Sequence, residues 1–210
     1  MSGPSEDEIN QRANEKARKR KAVRDRMLAG KTIEKGLLMV HTGKGKGKTT
    51  AAMGLAMRAI GNGLHVGIVQ YVKGKWETGE RQVLERFPEQ VTIRTMGEGF
   101  TWETQDRARD IRAAEAAWAA SVEMIEACRG PAPRYDLVLL DELNIVLRYD
   151  YLPLDQVLAA LRARPPRLHV VVTGRNAKPE LIELADLVTE MTMVKHPFQA
   201  GVKAQKGIEF

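Results

Sequence analysis

The chain has 210 residues, of which 43% are hydrophobic and 29% charged, and its formal net charge is +6. This composition is typical of one globular domain with a substantial buried core, and the chain contains no repeat or low-complexity tract. No stretch approaches the run of about 18 apolar residues that a membrane helix needs, and the polar start does not resemble a signal peptide. Because the chain has a single cysteine, Cys128, no internal disulfide can form, and we expect a cytoplasmic protein with no membrane partner.

The positive charge is concentrated in two places. Residues 1–35 carry a net charge of +4, and Lys44, Lys46 and Lys48 add three more, so the remainder of the chain has a net charge of −1. A protein that binds duplex nucleic acid needs a wide basic surface. We therefore expect no nucleic-acid partner, and a nucleotide-dependent nucleic-acid-binding module remains the weakest alternative.

The composition indicates a charged N-terminal arm over residues 1–35 and a single domain over residues 36–210. Ser5 and Glu8 form a capping-box pattern that would begin a helix. Few apolar residues follow, and the run Arg18–Lys21 is entirely basic. Two alternatives stay open: a solvated tail, or a helix that becomes ordered when it covers a ligand or a neighbouring subunit.

From residue 36 onward, segments with strand patterns alternate with segments of helical periodicity. The first strand is predicted to end at Thr42 and the first helix to begin at Lys48. Further strands are predicted over residues 65–72, 91–96, 137–140, 169–173 and 187–194. Further helices are predicted around residues 111–125 and 155–164. This alternation favours an α/β fold with a mostly parallel six-stranded sheet and helices on both faces.

A glycine- and lysine-rich loop joins the first predicted strand to the first predicted helix. Its sequence is Thr42-Gly43-Lys44-Gly45-Lys46-Gly47-Lys48-Thr49-Thr50. Glycines allow backbone N–H groups to face an anion, and the start of a helix adds partial positive charge. Lys48 would supply a charge for phosphate and Thr49 a hydroxyl for Mg²⁺. The loop departs from the pattern G-x-x-x-x-G-K-[ST] at one position, because Thr42 stands where the first glycine is expected.

Asp141 and Glu142 follow the apolar run 137–140 directly. Ligands of open α/β sheets bind at the carboxyl ends of the strands, and a carboxylate there can hold Mg²⁺ directly or through water. A second acid at this position can also polarise an attacking water. A P-loop ATPase or kinase with Glu142 or Asp141 as general base is therefore an alternative function.

Residues 97–105 place aromatic side chains beside glycines just after a predicted strand. Phe100 and Trp102 would either pack into the core or form a flat apolar wall for a large planar ligand.

From about residue 35 to the C-terminus, the chain resembles the P-loop type of ATP:corrinoid adenosyltransferase. The segments that carry the resemblance, in matching order and spacing, are residues 42–52, 100–105, 141–143, 149–154, 172–175 and 194–205. The resemblance implies a RecA-like P-loop NTPase fold and transfer of the 5′-deoxyadenosyl group of ATP to the Co(I) of a reduced corrinoid, with release of triphosphate. The acceptor stays open among cobyrinic acid a,c-diamide, cobinamide and cobalamin.

The resemblance also implies roles for individual residues. ATP would be bound by Gly43, Lys44, Gly45, Lys46, Gly47, Lys48, Thr49, Thr50 and Arg58. Catalytic roles would fall to Lys48, Thr49 and Glu142, with Thr49 and Glu142 as Mg²⁺ ligands. Phe100 and Trp102 would contact the corrinoid and exclude an axial ligand. A triphosphate bound in reversed polarity would account for Thr42.

The resemblance further implies a homodimer in which the N-terminal arm covers the active site of the other subunit. It also implies a flavin-based electron donor for reduction of the corrinoid.

Overall fold

The computed structural model describes residues 5–72, 78–96 and 106–208. It divides into two compact units, Met1–Glu34 and Lys35–Phe210. The first unit is one helix, α1 (Glu6–Ala29), and none of its residues is buried. The predicted capping box is present, because Glu8 N donates to Ser5 Oγ at 3.3 Å and Ser5 N donates to Glu8 Oε2 at 3.0 Å. The two reciprocal bonds satisfy backbone donors that would otherwise lack partners in the first turn.

The second unit is built from alternating strands and helices. In chain order they are β1 (Leu38–Thr42), α2 (Lys48–Gly61), β2 (Val66–Gln70), α3 (Gly79–Leu84), β3 (Val91–Thr95), α4 (Arg107–Glu126), β4 (Leu137–Asp141), α5 (Leu143–Arg148), α6 (Leu154–Arg162), β5 (His169–Thr173), α7 (Pro179–Leu184), β6 (Leu187–Glu190) and a 3₁₀ helix (Pro197–Ala200). The strands form one sheet in the order β3-β2-β4-β5-β1-β6, and every neighbouring pair is parallel. The predicted six-stranded α/β fold is confirmed. The strand β5 separates β1 from β4.

The sheet is covered on both faces, as the continuous apolar strands predict. Leu38 and Val40 of β1 belong to one buried cluster, whereas Met39 between them belongs to another. The first cluster includes Trp118 of α4, and the second includes Met53 of α2. Since alternate residues of a strand point to opposite faces, α4 and α2 cover opposite sides of the sheet.

Two features differ from the sequence-based expectation. The sixth strand was predicted to reach residue 194 but ends at Glu190, because the backbone of Met191 and Thr192 then packs on the loop after β1. The helices α3, α5 and α7 were not predicted. Each has only six residues, which is too short for helical periodicity to be recognised in the sequence.

Asp186 fixes the start of β6 beside the start of β1. Its Oδ2 accepts hydrogen bonds from Leu38 N at 2.9 Å and from Arg164 Nη2 at 3.2 Å, and its Oδ1 is paired with Lys35. The hydrogen bond from Lys35, followed by that from Leu38 N–H, lowers the pKa of Asp186 below its ordinary value. Among the described helices, none is both long enough and apolar enough to cross a bilayer.

Candidate active site

Three strands deliver the predicted site residues to the carboxyl edge of the sheet. The loop after β1 leads into α2, Glu142 follows β4, and β5 ends at Thr173. Because β5 lies between β1 and β4, the ends of all three strands are neighbours. The topology therefore assembles one site from segments that are far apart in the sequence.

The glycines of the loop are required by packing as well as by conformation. Gly43 and Gly47 have φ angles of +95° and +102°, which other residues rarely adopt. A Cβ on Gly43 would lie 2.4 Å from Met191 O, and a Cβ on Gly45 would lie 2.6 Å from Thr192 O. Gly45 N also donates to Met191 O at 2.6 Å. The backbone after β6 therefore presses directly on the loop, and only glycine fits at these positions.

Lys48 bridges the loop from the first turn of α2. Its Nζ donates to Gly43 O at 2.9 Å and to Gly45 O at 2.5 Å, and the residue is only 6% exposed. Burial lowers the pKa of Lys48, the nearby Glu142 carboxylate raises it, and the positive charge of Arg175 lowers it. The loop therefore holds the buried ammonium of Lys48 in a fixed position. An anion bound in the loop would form charged hydrogen bonds with this ammonium and so replace part of the hydration that it loses on burial.

Two hydroxyl groups donate hydrogen bonds to the carboxylate of Asp141, which is fully buried. Thr49 Oγ1 donates to Asp141 Oδ1 at 2.9 Å, and Thr173 Oγ1 donates to the same oxygen at 2.8 Å. The two bonds fix the position of Thr49, the predicted magnesium ligand, relative to the end of β4. Asp141 is therefore an orienting group for Thr49.

Glu142 leaves β4 in a left-handed conformation with a φ of +67°. Its N–H donates to Thr173 Oγ1 at 2.9 Å, and its carboxylate is close enough to Lys48 to raise the pKa of that lysine. Such a backbone conformation is uncommon for a residue other than glycine and is often found at functional sites. It turns the glutamate out of the sheet and into the neighbourhood of the loop.

The oxygens of Thr49, Asp141 and Glu142 are the ligand types that Mg²⁺ prefers. Within the described parts of the chain, no group of three or more His, Cys, Asp or Glu side chains could hold a metal ion. A magnesium ion would therefore need phosphate oxygens and water to complete its coordination. This is the usual situation at nucleotide sites, so the residues present fit Mg²⁺ bound together with a nucleotide.

Thr42, where the loop departs from the usual pattern, is the last residue of β1. Its N–H and C=O lie in the sheet, and its O accepts from Met191 N at 2.9 Å. The side-chain Oγ1 accepts a hydrogen bond from Ala177 N at 3.0 Å. The hydroxyl therefore ties the turn after β5 to the start of the phosphate loop, and glycine would lack this acceptor.

The other predicted ATP-binding residues with side chains, unlike Lys48 and Thr49, are exposed. Lys44, Lys46 and Thr50 lie in or beside the loop with exposed side chains. Arg58 lies ten residues after Lys48 on α2, which corresponds to about 15 Å along the helix axis, and is also exposed. The structure does not bring Arg58 to the loop within this chain.

Phe100 and Trp102 lie outside the described residues.

Two residues near the site, both within the segment 172–175 that carries part of the resemblance, were given no individual role from the sequence. Thr173 contacts Asp141 through its hydroxyl and the Glu142 backbone through the same oxygen, and Arg175 lies near Lys48. The available signal was the polar sequence Thr173-Gly174-Arg175 after the apolar strand β5. Recognising it would have required the knowledge that β5 lies between β1 and β4.

The sequence of this chain is similar to those of known proteins. The family model described as "ATP:corrinoid adenosyltransferase BtuR/CobO/CobP" matches residues 34–210. A corrinoid adenosyltransferase of Pseudomonas aeruginosa is 54% identical over 203 residues, which cover 97% of this chain and 98% of the relative. The corrinoid adenosyltransferase CobA of Salmonella typhimurium is 46% identical over 201 residues, covering 96% of this chain and 99% of the relative. The chain belongs to the ATP:corrinoid adenosyltransferase family.

Proposed function

We propose that this protein transfers the 5′-deoxyadenosyl group of ATP to the cobalt of a reduced corrinoid. The observation that carries the proposal is the family match, which includes the whole phosphate loop and the two acidic residues Asp141 and Glu142. In the reaction, the electron pair of Co(I) attacks C5′ of ATP. A cobalt–carbon bond forms, the bond from C5′ to the triphosphate oxygen breaks, and triphosphate leaves with that bonding pair.

The chain's own residues would act mainly on the leaving group. The amides of the loop and the Lys48 ammonium would hold the triphosphate, and their fixed charge would stabilise the negative charge that develops on it. Because Co(I) is itself a strong nucleophile, no general base is needed. Glu142 is then a metal ligand, and its closeness to Lys48 is in keeping with a charge-neutralising role.

Thr49 and Glu142 would hold Mg²⁺, with Asp141 orienting Thr49 through their 2.9 Å hydrogen bond. The ion would supply positive charge next to the triphosphate. The loop residues Lys44 and Lys46 would add to this field.

Phe100 and Trp102 are proposed to contact the corrinoid, in line with the family resemblance. An apolar aromatic contact on the lower corrin face would exclude an axial ligand and thereby favour reduction of Co(II) to Co(I). The acceptor would be cobyrinic acid a,c-diamide, cobinamide or cobalamin, and a flavin-based donor would supply the electron.

We further propose that the protein works as a homodimer in the cytoplasm, with residues 1–35 as an arm over the partner's active site. The arm's helix α1 has exposed apolar side chains, namely Ile9, Val23, Met27 and Leu28. A helix of this kind would gain buried area by docking on another surface.

The defining experiment incubates the purified protein with ATP, Mg²⁺ and chemically reduced cobalamin. We expect a light-sensitive adenosylated corrinoid and inorganic triphosphate in equal amounts. Lys48→Ala should abolish both products, because it removes the buried cation between Gly43 O and Gly45 O.

The competing function, ATP hydrolysis with Glu142 as general base, predicts a different outcome. It would yield orthophosphate without corrinoid, and Glu142→Gln would stop that release. Orthophosphate formation without any adenosylated corrinoid would contradict the proposal.

A further inference from the structure

The turn of residues 174–177 links β5 to α7 and is anchored at both ends by side chains from other elements. At its start, Asn144 Nδ2 donates to Gly174 O at 3.0 Å, and Asn144 is fully buried. At its end, Ala177 N donates to Thr42 Oγ1 at 3.0 Å. A turn held in this way has few accessible conformations, so the residues between the anchors keep a fixed position.

The backbone conformation of the turn brings it close to the side chain of Glu142. Gly174 and Asn176 have φ angles of +125° and +55°, both in the left-handed half of conformational space. A Cβ on Gly174 would lie 2.8 Å from Asn144 Cβ and 3.0 Å from Glu142 Oε2. The turn therefore packs directly against the carboxylate that follows β4.

Arg175 lies between the two anchors and has an exposed side chain. It makes no hydrogen bond or ion pair with any residue in the described parts of the chain. It follows Gly174, whose Cβ position lies 3.0 Å from Glu142 Oε2, and it is near enough to the buried ammonium of Lys48 for the two positive charges to interact. Two cations held near each other repel, and an anion that binds between them removes this repulsion.

We propose that Arg175 is a further cationic contact for the triphosphate of ATP, in addition to the lysines of the loop, and that Thr42 and Asn144 are positioning residues that hold its turn. The inference rests on the proposed function, since it concerns the leaving group of that reaction. A guanidinium can contact two phosphate oxygens at once through its planar pair of N–H groups. Held beside Lys48 before the reaction begins, it stabilises the charge that grows on the departing triphosphate.

The first test measures the affinity for inorganic triphosphate with Mg²⁺ by calorimetry. Arg175→Gln should weaken binding about ten- to a hundredfold, the usual effect of losing a hydrogen-bonded charge. Affinity for hydroxocobalamin and the melting temperature should stay the same. The matched control is Arg112→Gln, an exposed arginine of α4, which should leave all three quantities unchanged.

The second test asks whether Thr42 acts through Arg175. Thr42→Val keeps the branched shape but removes the acceptor of Ala177 N–H, so it should weaken triphosphate binding part of the way toward the Arg175→Gln value. Thr42→Ser keeps the hydroxyl and should restore the affinity. The double variant Thr42→Val/Arg175→Gln should bind no more weakly than Arg175→Gln alone, because coupled residues are not additive.

Either of two results would overturn the inference. One is an unchanged triphosphate affinity in Arg175→Gln, and the other is full additivity of the Thr42 and Arg175 variants. Failure of the proposed function is recognised by a separate measurement. In that case the unaltered protein would form no adenosylated corrinoid, even if its affinity for triphosphate depended on Arg175.

Discussion

Asp141, at the end of β4, connects two other elements of the site, because it accepts hydrogen bonds from Thr49 of α2 and Thr173 of β5. It accepts hydrogen bonds from two hydroxyl groups while fully buried, and a buried carboxylate without such donors is costly. One of the donors, Thr173, also accepts the N–H of Glu142. The single hydroxyl of Thr173 therefore contacts both Asp141, the last residue of β4, and Glu142, the residue that follows it.

Thr173→Val should lower the free energy of unfolding by about 1–3 kcal/mol, because a buried carboxylate oxygen and a backbone N–H each lose a partner. It should also raise the Mg²⁺ concentration needed for half-maximal adenosyl transfer. Urea unfolding and a magnesium titration measure the two effects. Thr173→Ser retains the hydroxyl, and if it were as impaired as the valine variant, the hydrogen bonds would not be the cause.

A hydrogen bond in the structure accounts for Thr42, the residue that stands where the loop pattern expects glycine. The sequence identified the missing glycine, and the family resemblance suggested reversed binding of the triphosphate as its reason. The structure adds a local reason, since the hydroxyl accepts the Ala177 N–H. The partner lies 135 residues away in the sequence, so no local pattern could have revealed it.

At the scale of elements, the strand β6 depends on a polar contact at its start. Its four residues are exposed, and among the described strands it pairs only with β1, so burial contributes little to holding it. The carboxylate of Asp186 bonds to Leu38 N–H at the start of β1 and to Arg164. These contacts align the two strands before the phosphate loop begins.

Asp186→Asn should lower the free energy of unfolding by about 1–2 kcal/mol at neutral pH, through loss of charged hydrogen bonds. Because the pKa of Asp186 is lowered in the folded protein from its ordinary 3.8, its contribution is fully present above that pH. The contribution is lost as the pH falls through the folded-state pKa. Unfolding measured against pH should therefore show the two proteins converging in acid, and a constant difference down to acid pH would contradict this assignment.

The long elements were predictable and the short ones were not. The strands β1, β2, β4 and β5 are continuous apolar runs, and α4 has a clear buried stripe, so their types followed from periodicity. The early end of β6 did not, because the backbone after Glu190 packs on Gly43 and Gly45 of the phosphate loop. That contact is set by tertiary structure and not by the residues of the strand itself.

At the scale of the molecule, the core belongs wholly to the second unit. Both buried clusters are formed from residues after Lys35, and α1 contains no buried residue. The arm therefore adds charge and exposed apolar side chains without contributing to the core.

Removal of residues 1–34 should shift the melting temperature by no more than about 2–4 °C, the change that 1 kcal/mol produces in a domain of this size. Adenosyl transfer should fall if the arm covers a partner's site as proposed. Thermal unfolding and the activity assay distinguish the two effects. A large drop in melting temperature would show that the arm stabilises the folded domain.

The contact between the end of β6 and the phosphate loop couples nucleotide binding to the least protected part of the sheet. Gly45 N–H bonds to Met191 O, and Met191 N–H bonds to Thr42 O, so the loop keeps its shape only while the chain after β6 stays closed over it. Exposed edge strands open locally at low free energy. We therefore expect local opening at this edge to release the loop, and bound ATP to slow hydrogen exchange at the amides of residues 188–192.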